Sequence, residues 1–208
     1  MPKIGMEPIR KEQVIEATKR CIVRKGLANL SIKDIAAAAG VSTGIIYHYF
    51  ENKEDVLLQV LKESFRTSHE KVMQTVEPLP NPVDKFFAHL ENINAVPKDN
   101  PEFYIVLLNY LGQSTHNPQI RKIVTKFFYN LRSYTENYLR IKTEADPTAA
   151  CHLKNLPVIL YALGLGLGIM WTLDNDFYDI EEMGESLKEW LAKYLDLTGK
   201  GPQDGSVG

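Results

Sequence analysis

Apolar residues along this chain recur at intervals of three and four, and no alternating stretch of strand length interrupts them, so the pattern predicts an all-α fold. The first helix is predicted over about Lys11 to Lys25, with Val14, Thr18, Cys21 and Ile22 on one face and Gly26 as its left-handed terminator. A second, short helix follows Ser31, which stands where a capping residue belongs, and Asp34 at the third helical position completes a capping box. Ile35, Ala36 and Ala39 form its inner side. Gly40 ends it, and Val41-Ser42 leads directly into a third helix, with Ser42 as N-cap and Val41 placed to pack on Ile46. Two short helices joined by so tight a glycine-containing turn predict a helix-turn-helix.

A fourth helix starts at Asn52-Lys53-Glu54-Asp55 and extends to about Val76 on the stripe Val56, Leu57, Val60, Leu61 and Phe65, before Pro78, Pro80 and Pro82 mark a boundary. Further helices are predicted near 83–96, 101–113, 117–142, 147–173 and 180–197. They are separated by Pro97/Pro101, His116-Asn117-Pro118, Asp146-Pro147 and residues 174–179. Residues 1–54 form the predicted N-terminal domain, with the fourth helix running on to about 76 as connector, and residues 55–197 form the second. Residues 198–208, with four glycines, are expected to be a disordered tail. The stretch Leu156 to Leu173 carries no charge over eighteen residues, a length at which a membrane helix is a candidate. Its three glycines, Pro157 and the absence of flanking Lys/Arg clusters favour instead a helix buried between others.

Composition adds two restrictions. Cys21 and Cys151 are the only cysteines, and neither stands at zinc-ligand spacing, so no metal, disulfide framework or cofactor is indicated and a reducing compartment fits. The polar N-terminus lacks the apolar core of a secretory signal, and a cytoplasmic location is expected. Charge is divided unevenly: residues 1–49 hold eight Lys/Arg against four Asp/Glu, and residues 50–208 hold sixteen against twenty-two. A basic N-terminal segment on an acidic body suits a partner rich in phosphates.

On the third helix, Ile46 and Phe50, four apart, must face inward, which turns Thr43, Gly44, Tyr47 and His48 outward. Hydroxyl, bare backbone, phenol and imidazole suit a polyanionic groove, and Lys53 just beyond adds a charge within reach of a phosphate. Leu30 to Ala36, Ala39 to Phe50 and Asn52-Lys53-Glu54 together resemble the DNA-binding domain of the tetracycline-repressor (TetR) family of transcriptional regulators. The resemblance implies a homodimer that binds an imperfectly palindromic double-stranded DNA operator. It implies that Ser31 and Lys33 touch phosphates from the second helix, that Thr43, Gly44 and Ile45 lie nearest base edges, and that Tyr47, His48, Tyr49 and Lys53 anchor the DNA backbone, with Ser42 also among the DNA-binding residues. Ser31 stands where threonine is frequent, which keeps the hydroxyl. For the rest of the chain the resemblance implies only architecture: a helical domain that holds an unidentified small-molecule effector and dimerises through its last two helices.

Local features bear on both roles. Gly164 and Gly168 stand four apart beside Leu163 and Leu167, and Leu187, Trp190, Leu191 and Tyr194 form an apolar stripe on the final helix. These are the candidate dimer contacts. Phe65, His69 and Met73 repeat every four residues on the fourth helix. Phe86, Phe103, Tyr104, Leu107, Tyr110 and Leu111 follow, then His116, Phe127, Leu131, Tyr134 and Trp171. As a set they offer an apolar or aromatic effector a pocket with few polar anchors, and no buried basic pair announces an anion. Catalysis finds no support: there is no nucleophile–base pair or phosphate loop, and the histidines at 48, 69, 89, 116 and 152 are scattered. A helical carrier of apolar ligands is the competing reading, separated from a regulator by whether the protein binds DNA selectively.

Overall fold

A computed structural model describes residues 7–145 and 153–195, and among these every regular element is helical. The helices are α1 (Glu7–Lys25), α2 (Ile32–Ala39), α3 (Thr43–Tyr49), α4 (Lys53–Val76), α5 (Pro82–Asp99), α6 (Pro101–Ser114) and α7 (Pro118–Ala145), followed by α8 (Leu156–Leu173) and α9 (Ile180–Tyr194). The all-α prediction holds.

Several boundaries differ from the periodicity: α1 begins at Glu7 rather than about Lys11, α7 runs to Ala145 rather than 142, and three others change as follows. Pro97 does not end α5; it sits buried in its last turn, where the missing N–H costs only the bond to Ile93. Of the helix predicted from 147, residues 147–152 lie outside the described residues; a turn at Lys154–Asn155 precedes α8, which begins at Leu156 with Pro157 in its first turn, where a proline forfeits nothing. The last helix ends at Tyr194 rather than 197, and the tail expected at 198–208 lies outside the described residues.

The chain forms two compact units that do not follow the 54/55 boundary: Met1–Gln74 with Asn100–Tyr134, and Thr75–Asp99 with Thr135–Gly208. In the first, α1 packs on α2 and α6, and α2 packs on α3. Val14, Ile22, Leu30, Ile35, Ile46, Val56 and Leu61 fill its interior. Side chains of α6 and of the turn after it tie this unit together at distant points. Asn109 Oδ1 accepts from the Leu27 N–H at 3.0 Å, just past Gly26 (φ 74°), and the Tyr110 hydroxyl donates to the Leu57 carbonyl at 2.6 Å. Asn117 Nδ2 donates to Glu54 Oε1 at 2.6 Å. Burial raises the Tyr110 hydroxyl well above its ordinary pKa and keeps it a neutral donor.

The second unit is built on Phe86, Leu90, Leu139, Leu153, Leu156, Leu160, Leu191 and Leu195, with α5 packed against α8 and α9. Its interior also holds a polar chain. His89 Nε2 lies 3.1 Å from the Tyr161 hydroxyl, which lies 2.5 Å from Thr135 Oγ1. Asp179 caps α9 by accepting from the N–H groups of Glu181 and Glu182, and those bonds hold its carboxyl below the usual range. The expectation that the uncharged helix is buried all round is not met. Only 28% of α8 is buried, although its mean hydropathy of 1.9 makes it long and apolar enough to cross a membrane. Val158, Ile159, Leu163, Met170 and Leu173 are exposed along it.

Candidate functional site

Two caps and one left-handed glycine set the angle between α2 and α3. Ser31 is extended (φ −113°, ψ 159°); its Oγ accepts from the Asp34 N–H at 3.2 Å, and its own N–H donates to Asp34 Oδ2 at 3.0 Å. The Ser31 hydroxyl donates to the same carboxylate at 2.6 Å, and Lys25 Nζ approaches Oδ1 at 2.5 Å. The Lys25 ammonium, and after it Ser31, hold the Asp34 carboxyl far below the usual carboxylate range. At the other end Gly40 (φ 64°, ψ 32°) reverses the chain, and the Val41 N–H returns to the Ala36 carbonyl at 3.0 Å. Ser42 then caps α3 by accepting from the Ile45 N–H at 3.3 Å. Gln13 Nε2 donates to the Ala39 carbonyl at 2.8 Å and pins the end of α2 to α1.

Helix α3 is seven residues long, too short to persist on propensity alone, so it depends on these caps and on what it buries. Ile46 is completely buried and Phe50, its C-cap, nearly so; Lys11 Nζ lies 5.6 Å from the centre of the Phe50 ring. The opposite face is open: Tyr47 is 56% exposed, and Gly44 and His48 are exposed too. Thr43, Ile45 and Tyr49 are half-buried, with the Tyr49 and His48 rings edge to face at 4.9 Å. Lys53 opens α4, whose cap is Asn52, accepting from the Asp55 N–H at 2.9 Å. Lys33 is exposed on α2. Of the two serines, Ser31 already gives its hydroxyl proton to Asp34, so a phosphate reaching it has to displace that bond. Ser42 uses its oxygen only as an acceptor toward Ile45.

In the same unit a cleft of about 290 Å³ opens between α4 and α7. Phe65 and Phe127 stack across it at 3.9 Å between ring centres, and His69 stacks on Tyr134 at 5.2 Å with Nε2 3.2 Å from the phenol oxygen. Leu131 lines it, and Phe103 lies behind, 6.2 Å from Phe65. The other residues proposed from the sequence are elsewhere. Tyr104, Leu107 and Tyr110 are buried in α6, Leu111 and Met73 are half-buried, and His116 is exposed at the end of α6. Phe86 belongs to the core of the second unit, and Trp171 is half-buried there. Lys62, Arg66, Ile123, Lys126 and Asn130 also line the cleft and were not foreseen. Their signal was present: Lys62 and Arg66 stand four apart beside Phe65 and His69, as Lys126 and Asn130 do beside Phe127 and Leu131.

The candidate dimer residues divide. Leu163, Trp190 and Tyr194 are exposed, the latter two rings stacked at 5.4 Å. Leu191 is fully buried in the core of the second unit, and Leu187 packs against that core. The glycine pair turns inward as well: a Cβ on Gly164 would lie 3.6 Å from Ile93 Cγ2, and Gly168 is buried. The neighbour Gly164 faces is α5 of the same chain, and Leu167 is half-buried.

The family model described as bacterial regulatory proteins, tetR family, matches residues 14–60, which span α1 to the start of α4. A transcriptional regulator named BetI from Vibrio atlanticus is 37% identical over 130 residues, covering 59% of this chain and 62% of that protein, so the match spans less than two thirds of this relative. BetI of Vibrio campbellii is 29% identical over 212 aligned positions, covering 96% and 99%. Among solved structures, a transcriptional regulator of Pseudomonas aeruginosa PAO1 superposes with a TM-score of 0.77 at 20% identity, covering 91% of each chain. One from Saccharomonospora viridis in complex with choline gives 0.70 at 22%, covering 87% and 94%. FadR of Bacillus subtilis in complex with stearoyl-CoA gives 0.69 at 20%, covering 86% and 96%.

Proposed function

The chain belongs to the TetR family of DNA-binding transcriptional regulators, a non-enzymatic class, and on that premise we propose that it is a homodimeric repressor released from a palindromic operator by a small apolar or aromatic effector. The observation that carries this reading is the two-sided construction of α3, with Ile46 and Phe50 anchoring one side while Gly44, Tyr47 and His48 stand open on the other. A rigid helix of this kind presents its short polar face to a major groove. Thr43, Gly44 and Ile45 would approach base edges. Tyr47, His48, Tyr49, Ser42, Lys33 and Lys53 would hold phosphates, while Ser31 contributes chiefly by fixing α2.

Dimerisation is read from the second unit. Val158, Ile159, Leu163 and Met170 on α8 and Trp190 and Tyr194 on α9 leave large apolar side chains in water, and a twofold partner would cover them. Two recognition helices would then address half-sites about 34 Å apart. The protein would act in the cytoplasm, where its DNA is.

The cleft between α4 and α7 is the effector site in this reading, because it brings Phe65, His69, Phe127, Leu131 and Tyr134 to one place. Choline and stearoyl-CoA, bound in two of the solved neighbours, differ too much in chemistry for either to be carried over. An effector releases the operator only by the difference between its affinities for the DNA-competent and incompetent conformations.

Selection of bound duplexes from a random library tests the regulator reading. The expected product is a palindrome enriched by the wild type and lost with Tyr47→Ala. Recovery of no enriched sequence by folded, dimeric protein would favour a carrier of apolar ligands.

A further inference from the structure

The walls of the α4–α7 cleft carry charge of one sign. Three cations, Lys62, Arg66 and Lys126, line it, and no carboxylate does. Arg66 is already held on its own helix, by ion pairs to Glu63 and to Glu70, the latter at 2.6 Å, which push the guanidinium further up and hold the Glu63 carboxyl below its usual range. Lys62 and Lys126 are exposed and enter no ion pair among the described residues. They come from different helices and border the same aromatic floor, where Phe65 lies against Phe127 and His69 against Tyr134. Two ammonium-bearing side chains lining a cleft with an aromatic floor favour a planar apolar body bearing negative charge, and they disfavour a cation, which would meet repulsion with no carboxylate in the lining to offset it.

We propose that this cleft binds a small aromatic acid in its ionised form, with Lys62 and Lys126 pairing to the carboxylate and the Phe65/Phe127 floor taking the ring. This deepens, and rests on, the effector reading above, and it adds to the apolar or aromatic effector expected from the sequence an anionic group held by exposed rather than buried cations. A volume of about 290 Å³ holds one such molecule. Each exposed lysine–carboxylate pair is worth up to about fivefold in affinity and the two together up to about 25-fold, so about tenfold is expected at moderate salt, decreasing as salt screens them.

The test is calorimetric titration of the full chain with benzoate, naphthoate and their neutral alcohols, for the wild type and for Lys62→Ala with Lys126→Ala. Both lysines are exposed, so the double variant is expected to keep its helicity, checked by circular dichroism. The expected result is that at least one acid binds about tenfold more tightly than its alcohol, and that the double variant loses this preference while keeping the affinity for the alcohol. Equal binding of acid and alcohol, a preference that survives loss of both lysines, or no binding by any of the compounds overturns the proposal. Operator release is measured separately. An acid that binds with the charge preference yet leaves the operator occupied supports the site and refutes its role as the effector switch.

Discussion

Adjacent residues on α3 should separate stability from DNA binding. Ile46→Ala removes three carbons from a fully buried side chain, and at about 0.8 kcal/mol per buried methylene the transfer loss alone is about 2.4 kcal/mol. The cavity left behind brings the expected cost to about 2–5 kcal/mol. Because α3 has only seven residues and Ile46 is its one buried position, the loss should fall first on the order of that helix, and DNA affinity should fall with it. Tyr47→Ala removes a side chain that is 56% exposed, so stability should stay within about 0.5 kcal/mol of wild type. Its DNA affinity should nevertheless fall about tenfold, the equivalent of one lost hydrogen bond of about 1.4 kcal/mol. Urea unfolding followed by circular dichroism at one fixed protein concentration, with fluorescence anisotropy on a selected operator, measures both quantities. An Ile46→Ala protein within 1 kcal/mol of wild type, or a Tyr47→Ala protein destabilised by as much as Ile46→Ala, would refute the two-sided assignment.

Three further outcomes follow from the same geometry. Gly40→Ala should destabilise by about 1 kcal/mol in urea, purely through the left-handed backbone, because nothing lies within 4 Å of the added Cβ. The Asp34–Lys25 pair should contribute over a defined pH window. Asp34 has its folded pKa depressed, so its stabilisation is complete above the unfolded value of about 4 and disappears as pH falls through the folded one; Lys25 has its own raised, so its share is complete below about 10.4 and disappears as pH rises through the folded value. The gap in urea midpoint between wild type and Asp34→Asn should therefore be flat from about pH 5 to 9 and shrink below about pH 4. Tyr161→Phe should cost about 1–3 kcal/mol in thermal unfolding, because it leaves Thr135 and His89 without the hydroxyl they share in the second unit.

What could be read from the sequence was what the chain decides locally. Ser31 and Asp34, Gly40, and Ser42 with Ile45 lie within a few positions of one another, and each cap formed where residue type and spacing placed it. The inward and outward faces of α3 followed from a four-residue spacing alone. Features that depend on elements far apart in the chain were hidden. Lys62 and Lys126 meet over one cleft only because α4 packs on α7, and Tyr110 reads as a pocket residue until its hydroxyl is seen on the Leu57 carbonyl. Gly164 and Leu191 carry the same apolar signal whether they face α5 or a second copy, so periodicity could not assign them to the interior.

The regulator reading depends above all on the open face of α3 meeting DNA. Its most direct test is the affinity for the selected palindrome and for a shuffled duplex, measured at two salt concentrations for wild type, Tyr47→Ala and Lys53→Ala. Wild type should prefer the palindrome by about 10³-fold or more, both variants should lose affinity for it, and Lys53→Ala should lower the salt dependence by about one released ion. Equal affinity for the two duplexes, or variants that bind the palindrome as tightly as wild type, would contradict it.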